Sequence, residues 1–209
     1  MSKKTIGITI IGDSIIRHKK NNVIYDWSAE LKKEISKKYK FNFYFKVKSV
    51  VGINSKNLLK LLSKSFTKNK KKDILIFQIG INDSWHYKSH EGIPCVILND
   101  FEKNLKEIYL KAKIKKYKKI IFLNYHKLLN NRIEVNNKTL NENLNKYNKK
   151  IKFFCKKYKL DLIDMNKLTK NQNLCLKLPD GIHLNKNGVK IYSSIILKFI
   201  TKSINEKKN

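Results

Sequence analysis

The sequence predicts an α/β fold: a parallel sheet of five strands covered by helices on both faces. Three observations predict it. Short apolar or β-branched runs alternate with longer stretches of helical period. One run, Ile74-Leu75-Ile76-Phe77, is continuously apolar, as a strand buried on both faces requires. The 209 residues are 41% hydrophobic, which suits one domain with a sizeable core and excludes wholesale disorder.

Each element follows from its own pattern. Thr5–Ile11 is a β-branched run and reads as the first strand. Asp26–Tyr39 places Trp27, Leu31 and Ile35 at spacing four, one face of a helix. Phe41–Val47 reads as a strand, and Leu58, Leu59, Leu61, Leu62 and Phe66 as a helix. Asp73–Ile79 is the central strand. Phe101, Leu105, Ile108, Tyr109 and Ala112 mark the next helix face, followed by a strand at Lys119–Asn124. Leu140, Leu144, Tyr147, Ile151, Phe154, Cys155 and Tyr158 form one helical stripe, and Leu160–Asp164 a short strand. Tyr192, Ile195, Ile196, Phe199 and Ile200 give the last helix. No internal repeat or domain boundary interrupts the pattern, so 1–209 reads as a single domain. The lysine runs at 68–72 and 115–119 (broken by Asn69 and Tyr117) read as solvated surface at helix ends.

The formal net charge is +31 and the sequence pI near 10.0. A nucleic-acid-binding module is one reading of such a charge. Of the 47 basic residues, however, only Arg17 and Arg132 are arginine. A chain built to grip phosphates and bases would favour guanidinium, which pairs bidentately and stacks. The 25 Asn and 28 Ile accompany the lysines, and all three residues have A/T-rich codons. The charge therefore reads as compositional background, without a specific nucleic-acid partner.

Cys95, Cys155 and Cys175 are odd in number and fit neither a zinc pattern nor a disulfide framework. This points to a reducing, cytoplasmic setting. The apolar start ends in Gly12-Asp13-Ser14 and is too short for a signal peptide; a buried strand explains it better. No run approaches the ~20 apolar residues of a membrane span.

In open parallel sheets, ligands bind beyond the carboxyl ends of the strands. The loops there hold the distinctive residues: Gly12-Asp13-Ser14, Gly52, Gly80-Ile81-Asn82-Asp83 and, before the last helix, Asp180-Gly181-Ile182-His183. Ser14 falls where a strand-to-helix turn is expected, which presents its hydroxyl at the sheet edge. A serine nucleophile needs a base, and the base needs an acid that fixes its tautomer. His183 has Asp180 three residues upstream in a turn, so Asp180 can accept from Nδ1–H and leave Nε2 facing Ser14. The Ser14 amide, the Gly52 amide and the Asn82 side chain are candidate donors for an oxyanion. Taken singly, these residues are ordinary caps and turns. Together they require several coincidences at one edge.

The four blocks resemble those of the SGNH hydrolases, the GDSL esterase/lipase family, in order and spacing over nearly the whole chain. Ile15 stands where the family's nickname has leucine; any aliphatic side chain can pack there. The resemblance implies a flavodoxin-like three-layer α/β/α sandwich. It implies Ser14 as nucleophile, His183 as general base and then acid, and Asp180 as its orienter. The oxyanion hole would be the Ser14 amide, Gly52 and Asn82.

The expected function is a serine-dependent carboxylic ester hydrolase that removes short acyl groups, acetyl first, from a sugar or other small alcohol. An O-acyltransferase using the same nucleophile is the alternative. No cofactor and no metal are expected; His86 and His90 have a helical ligand spacing but lack a third partner. Asp13 and Asp83 are expected to hold their loops. Asp13, Trp85 and His126 are also candidate pocket residues; Trp85 lies with Tyr87 in the Ser84–Asn99 segment, which reads as a lid or pocket wall. Arg17 and His18 read as surface.

Overall fold

The computed structural model describes residues 5–40, 42–65, 72–86, 93–129 and 139–205. Phe41, Phe66 and the lysines of 68–71, drawn into the expected elements and surface runs, lie outside them. Five strands form the main sheet: β1 (Thr5–Gly12), β4 (Asn42–Ser49), β5 (Ile74–Gln78), β6 (Lys119–Leu123) and β7 (Asp161–Ile163). All neighbours pair in parallel, in the order β4-β1-β5-β6-β7. The chain therefore builds outward from β1 first on one side and then on the other. The reversal leaves a crevice at the carboxyl ends of β1 and β5.

The helices are α1 (Trp27–Lys38), α2 (Ser55–Ser65), α3 (Leu98–Ile114), α4 (Leu140–Lys157), the short α5 (Met165–Leu168) and α6 (Lys186–Asn205). The side chains of each strand alternate between two apolar layers. Ile8, Ile10, Ile74, Ile76, Ile121 and Leu123 face the layer that contains Trp27 and Leu31 of α1 and Tyr192 and Ile196 of α6. Ile11, Leu75, Phe77 and Phe122 face the layer of Leu58 and Leu62 on α2, Phe101 and Leu105 on α3, and Ile151 and Phe154 on α4. This is the expected α/β/α arrangement, with the core divided by the sheet.

The helix starts follow from capping. Asp26 accepts from the Ala29 amide at 2.9 Å and starts α1 one residue later than the spacing predicts. Thr139 and Glu142 form a reciprocal capping box at α4. The Asn185 side chain accepts from the Gly188 amide at 2.9 Å at the start of α6.

The short α5 has no counterpart among the expected helices, and a second departure bears on the site. Between β1 and α1 the chain makes an antiparallel hairpin, β2 (Arg17–Lys20) with β3 (Val23–Asp26). Asn21 and Asn22 turn it with φ of 49° and 61°, the left-handed pair of a type I′ turn. Ser14 thus sits on a strand-to-hairpin turn and not at a helix N-terminus, so its amide gains nothing from a helix dipole. Among the described residues, no helix is long and apolar enough to cross a membrane. Cys155 is a buried free thiol, and burial pushes it up to about 12.

Candidate active site

The loop after β1 is pinned by Asp13. Its carboxylate accepts from the Ile15 amide at 2.9 Å and from the Tyr125 hydroxyl. Its carbonyl accepts from the Ile16 amide at 3.2 Å and the Ser49 hydroxyl at 2.7 Å. With Asp13 fixed on both sides, the Ser14 side chain is held at the crevice edge, and the residue stays 7% exposed. Burial pushes the Asp13 carboxyl up to about 7, against the lowering effect of the Tyr125 and Ile15 bonds.

The loop before α6 brings the other two groups. Asp180 Oδ1 accepts from the amides of Ile182 at 2.8 Å and His183 at 2.9 Å. Its Oδ2 lies 3.0 Å from His183 Nδ1. Burial opposes the Asp180 charge, but those two amides and the His183 ring hold the carboxyl below its ordinary value. An ionised carboxylate only accepts, so Nδ1 carries the ring proton. His183 Nε2 is then the acceptor, and it lies 3.0 Å from Ser14 Oγ. Residues far apart in the chain thus form one continuous line, Asp180 to His183 to Ser14, with the His183 side chain 19% exposed.

A sequence model of the family described as GDSL-like Lipase/Acylhydrolase matches residues 8–196. The chain belongs to that family. It is a carboxylic ester hydrolase of the GDSL type. No curated protein sequence matches it significantly. Solved structures share the fold at low identity. A lipase/acylhydrolase from Enterococcus faecalis superposes with a TM-score of 0.76 at 16% identity, covering 95% of this chain and 96% of that one. An acetylxylan esterase from Geobacillus stearothermophilus gives 0.73 at 18% identity, covering 92% and 93%. Catalytic mutants of that esterase replace a serine and an aspartate by alanine. The acetyl xylan esterase AlAXEase gives 0.73 at 19% identity, covering 93% and 100%.

The other GDSL-block residues meet the same edge. The Ile53 amide donates to the Val50 carbonyl at 3.3 Å, and Gly52 takes φ +72° at the third position of this turn, where glycine is favoured. A Cβ on Gly52 would meet nothing within 4 Å, so the residue faces open space. Asn82 Nδ2 donates to the Ile53 carbonyl at 2.9 Å. An amide nitrogen has two N–H bonds, so this contact aims the group and leaves a second donor. Asp83 is buried and accepts from the Ser55 amide at 2.9 Å and from the Ser55 hydroxyl, which in turn accepts from Asn104 at 2.8 Å. Burial pushes Asp83 up to about 6. Its work is to tie the Gly80–Asp83 loop to the start of α2.

The pocket candidates fall differently. Asp13 and His126 have no exposed surface, so both act behind the site and neither lines a pocket open to solvent. His126 Nε2 lies 3.0 Å from the Ile182 carbonyl and therefore donates to it; Nδ1 accepts from the Tyr192 hydroxyl at 2.6 Å. Burial and the nearby Lys177 charge push His126 down to about 3, so it stays neutral and braces the Asp180–His183 loop. Trp85 is half-buried against the layer that includes Ile15 and Ile16. Arg17 is exposed and lies 3.8 Å from Asp26. His86 contacts Asn143 at 3.2 Å, while Tyr87 and His90 lie outside the described residues.

His18 is the residue whose place the sequence did not indicate. Its ring stacks on His183, centroids 3.8 Å apart and planes 12° from parallel. His18, Asp180 and His183 also bring possible ligand atoms within 4.8 Å of one another. Imidazole lone pairs lie in the ring plane, however, and two nearly parallel planes do not converge on one ion.

Proposed function

We propose that Ser14 is the nucleophile of a short-chain ester hydrolase, with His183 as general base and Asp180 as its orienter. The observation that carries this reading is the hydrogen-bonded line Asp180–His183–Ser14 at the sheet's switch point. Ser14 Oγ attacks the ester carbonyl carbon while His183 Nε2 takes its proton. Asp180, held ionised, stabilises the imidazolium. The tetrahedral oxyanion is met by the amides of Ser14 and Gly52 and by the second N–H of Asn82. On collapse the carbon–oxygen bond to the alcohol breaks, and His183 returns its proton to the leaving oxygen. His183 then takes a proton from water, the hydroxide attacks the acyl carbon, and Ser14 leaves with the proton restored.

The substrate we propose is an acetyl ester of a sugar or other small alcohol. Two of the solved neighbours are named acetylxylan esterases, which supports an acetyl-sized acyl group. Both apolar layers pack on one sheet, which supports reading the chain as a single hydrolase domain. The free, buried Cys155 thiol supports a reducing setting.

The test is a panel of esters of rising acyl length, with an acetylated xylo-oligosaccharide included. Wild type should hydrolyse acetyl esters fastest. Ser14→Ala, with its fold checked by circular dichroism, should lose about 10⁴-fold or more in kcat. Equal rates in the two proteins contradict the mechanism.

A further inference from the structure

His183 is held at one ring edge by Asp180, which fixes the tautomer and the position of Nδ1. That bond and the one between Nε2 and Ser14 both engage the ring edge and leave the ring faces without restraint from either. The plane decides where Nε2 points, and so whether Ser14 stays within 3.0 Å of it. The parallel ring of His18 lies 3.8 Å from His183 and supplies the missing restraint. We propose that His18 is a positioning residue that clamps the plane of the catalytic imidazole and accepts the imidazolium on its ring face. This rests on the reading of His183 as general base.

The hairpin exists in a form that suits this task. β2 presents alternate residues to opposite sides, so Arg17 and Lys19 are exposed while His18 turns inward. The Asn21-Asn22 turn fixes the β2–β3 register, which sets His18 opposite Tyr25. His183 and Asp180 face His18 from the loop before α6, and Lys20 is the charged neighbour on its own strand. Burial pushes His18 below its ordinary value, and the His183 and Lys20 charges add to this while Asp180 opposes them. A neutral imidazole face attracts a cation, whereas a second imidazolium in the stack would repel it. The stack therefore favours the protonated His183 of the transition state, provided His18 stays neutral.

The test uses His18→Ala, His18→Phe and His183→Phe on a short acetyl ester. His18→Ala should lose about tenfold in kcat with KM within about twofold of wild type. His18→Phe restores a flat ring and should recover kcat to within about threefold of wild type. If His18→Ala fails to fold, the Phe variant still carries the comparison. In His183→Phe the ring cover remains but the charge is gone, so the His18 titration followed by NMR should move up. An unchanged kcat in His18→Ala, or a Phe variant as slow as the Ala variant, overturns the proposal. His183→Phe separates the two readings. An inactive His183→Phe beside a fully active His18→Ala sinks the clamp alone. An active His183→Phe sinks the general-base reading and the clamp with it.

Discussion

Asp13 and Asp180 are carboxyl groups on either side of Ser14, and their surroundings push them in opposite directions. Asp180 is held low by two amides and a ring N–H, so it is ionised across the working range. Asp13 is raised to about 7 and Asp83 to about 6, because burial outweighs their hydrogen bonds. A carboxyl raised in the folded state binds a proton there that the unfolded chain has released. Its stabilising contribution is complete below the unfolded value near 3.8 and is lost as pH rises through the folded value. Asparagine at position 13 cannot ionise. Wild-type stability relative to Asp13→Asn should therefore fall between about pH 4 and pH 7, by on the order of a few kcal/mol, and then level off. Urea unfolding of both proteins at several pH values measures this, and a constant difference contradicts it. Tyr192→Phe removes the donor to His126 Nδ1 and leaves a buried acceptor unpaired. It should cost about 1–3 kcal/mol and lower kcat through the loosened His183 loop; a thermal melt beside a rate assay checks both. That Ser14, Asp180 and His183 would meet was legible because their residue types and chain order suit a hydrogen-bonded serine, histidine and aspartate. His18 and His126 were not, because each acquires its role from a side chain on an element distant in sequence.

The periodic elements were legible at the scale of the element, since strands buried on both faces and amphipathic helices leave unmistakable patterns. The β2–β3 hairpin was missed because Arg17-His18-Lys19-Lys20 carries no apolar alternation. The Asn21-Asn22 pair was its one signal. That error misplaced Ser14 at a helix start. Two substitutions test how elements hold the site. A Cβ on Gly12 would lie 2.1 Å from the Gln78 carbonyl oxygen and 2.8 Å from Ile16 Cδ1. Gly12→Ala must push β1 from β5 directly beneath Ser14, so it should lower both stability and kcat. Thr139→Ala removes one half of the α4 capping box, away from the triad. It should cost about 1 kcal/mol in urea unfolding and leave kcat unchanged. A loss of kcat in a folded Thr139→Ala protein would show that α4 does more than pack.

The whole molecule joins the hydrogen-bonded line Asp180–His183–Ser14, which carries the ionised Asp180, to a chain of net charge +31. The order β4-β1-β5-β6-β7 puts the Ser14, Gly52 and Asn82 loops at the carboxyl ends of three adjacent strands, and the loop before α6 closes over them. This convergence followed from the alternation of elements, although the strand order itself was implied only by the family resemblance. The charge acts at longer range. A field this positive should speed the encounter with anionic esters and leave neutral ones unaffected. kcat/KM for an acidic sugar acetate should therefore fall with added salt, while that for a neutral acetate stays flat; parallel curves would return the charge to compositional background. The proposed mechanism requires Ser14 to form the covalent acyl-enzyme. Its most direct measurement is mass spectrometry after treatment with a short alkyl phosphonate. A single adduct on the Ser14 peptide, absent from Ser14→Ala, is expected. An adduct on another residue, or none in an active preparation, would contradict it.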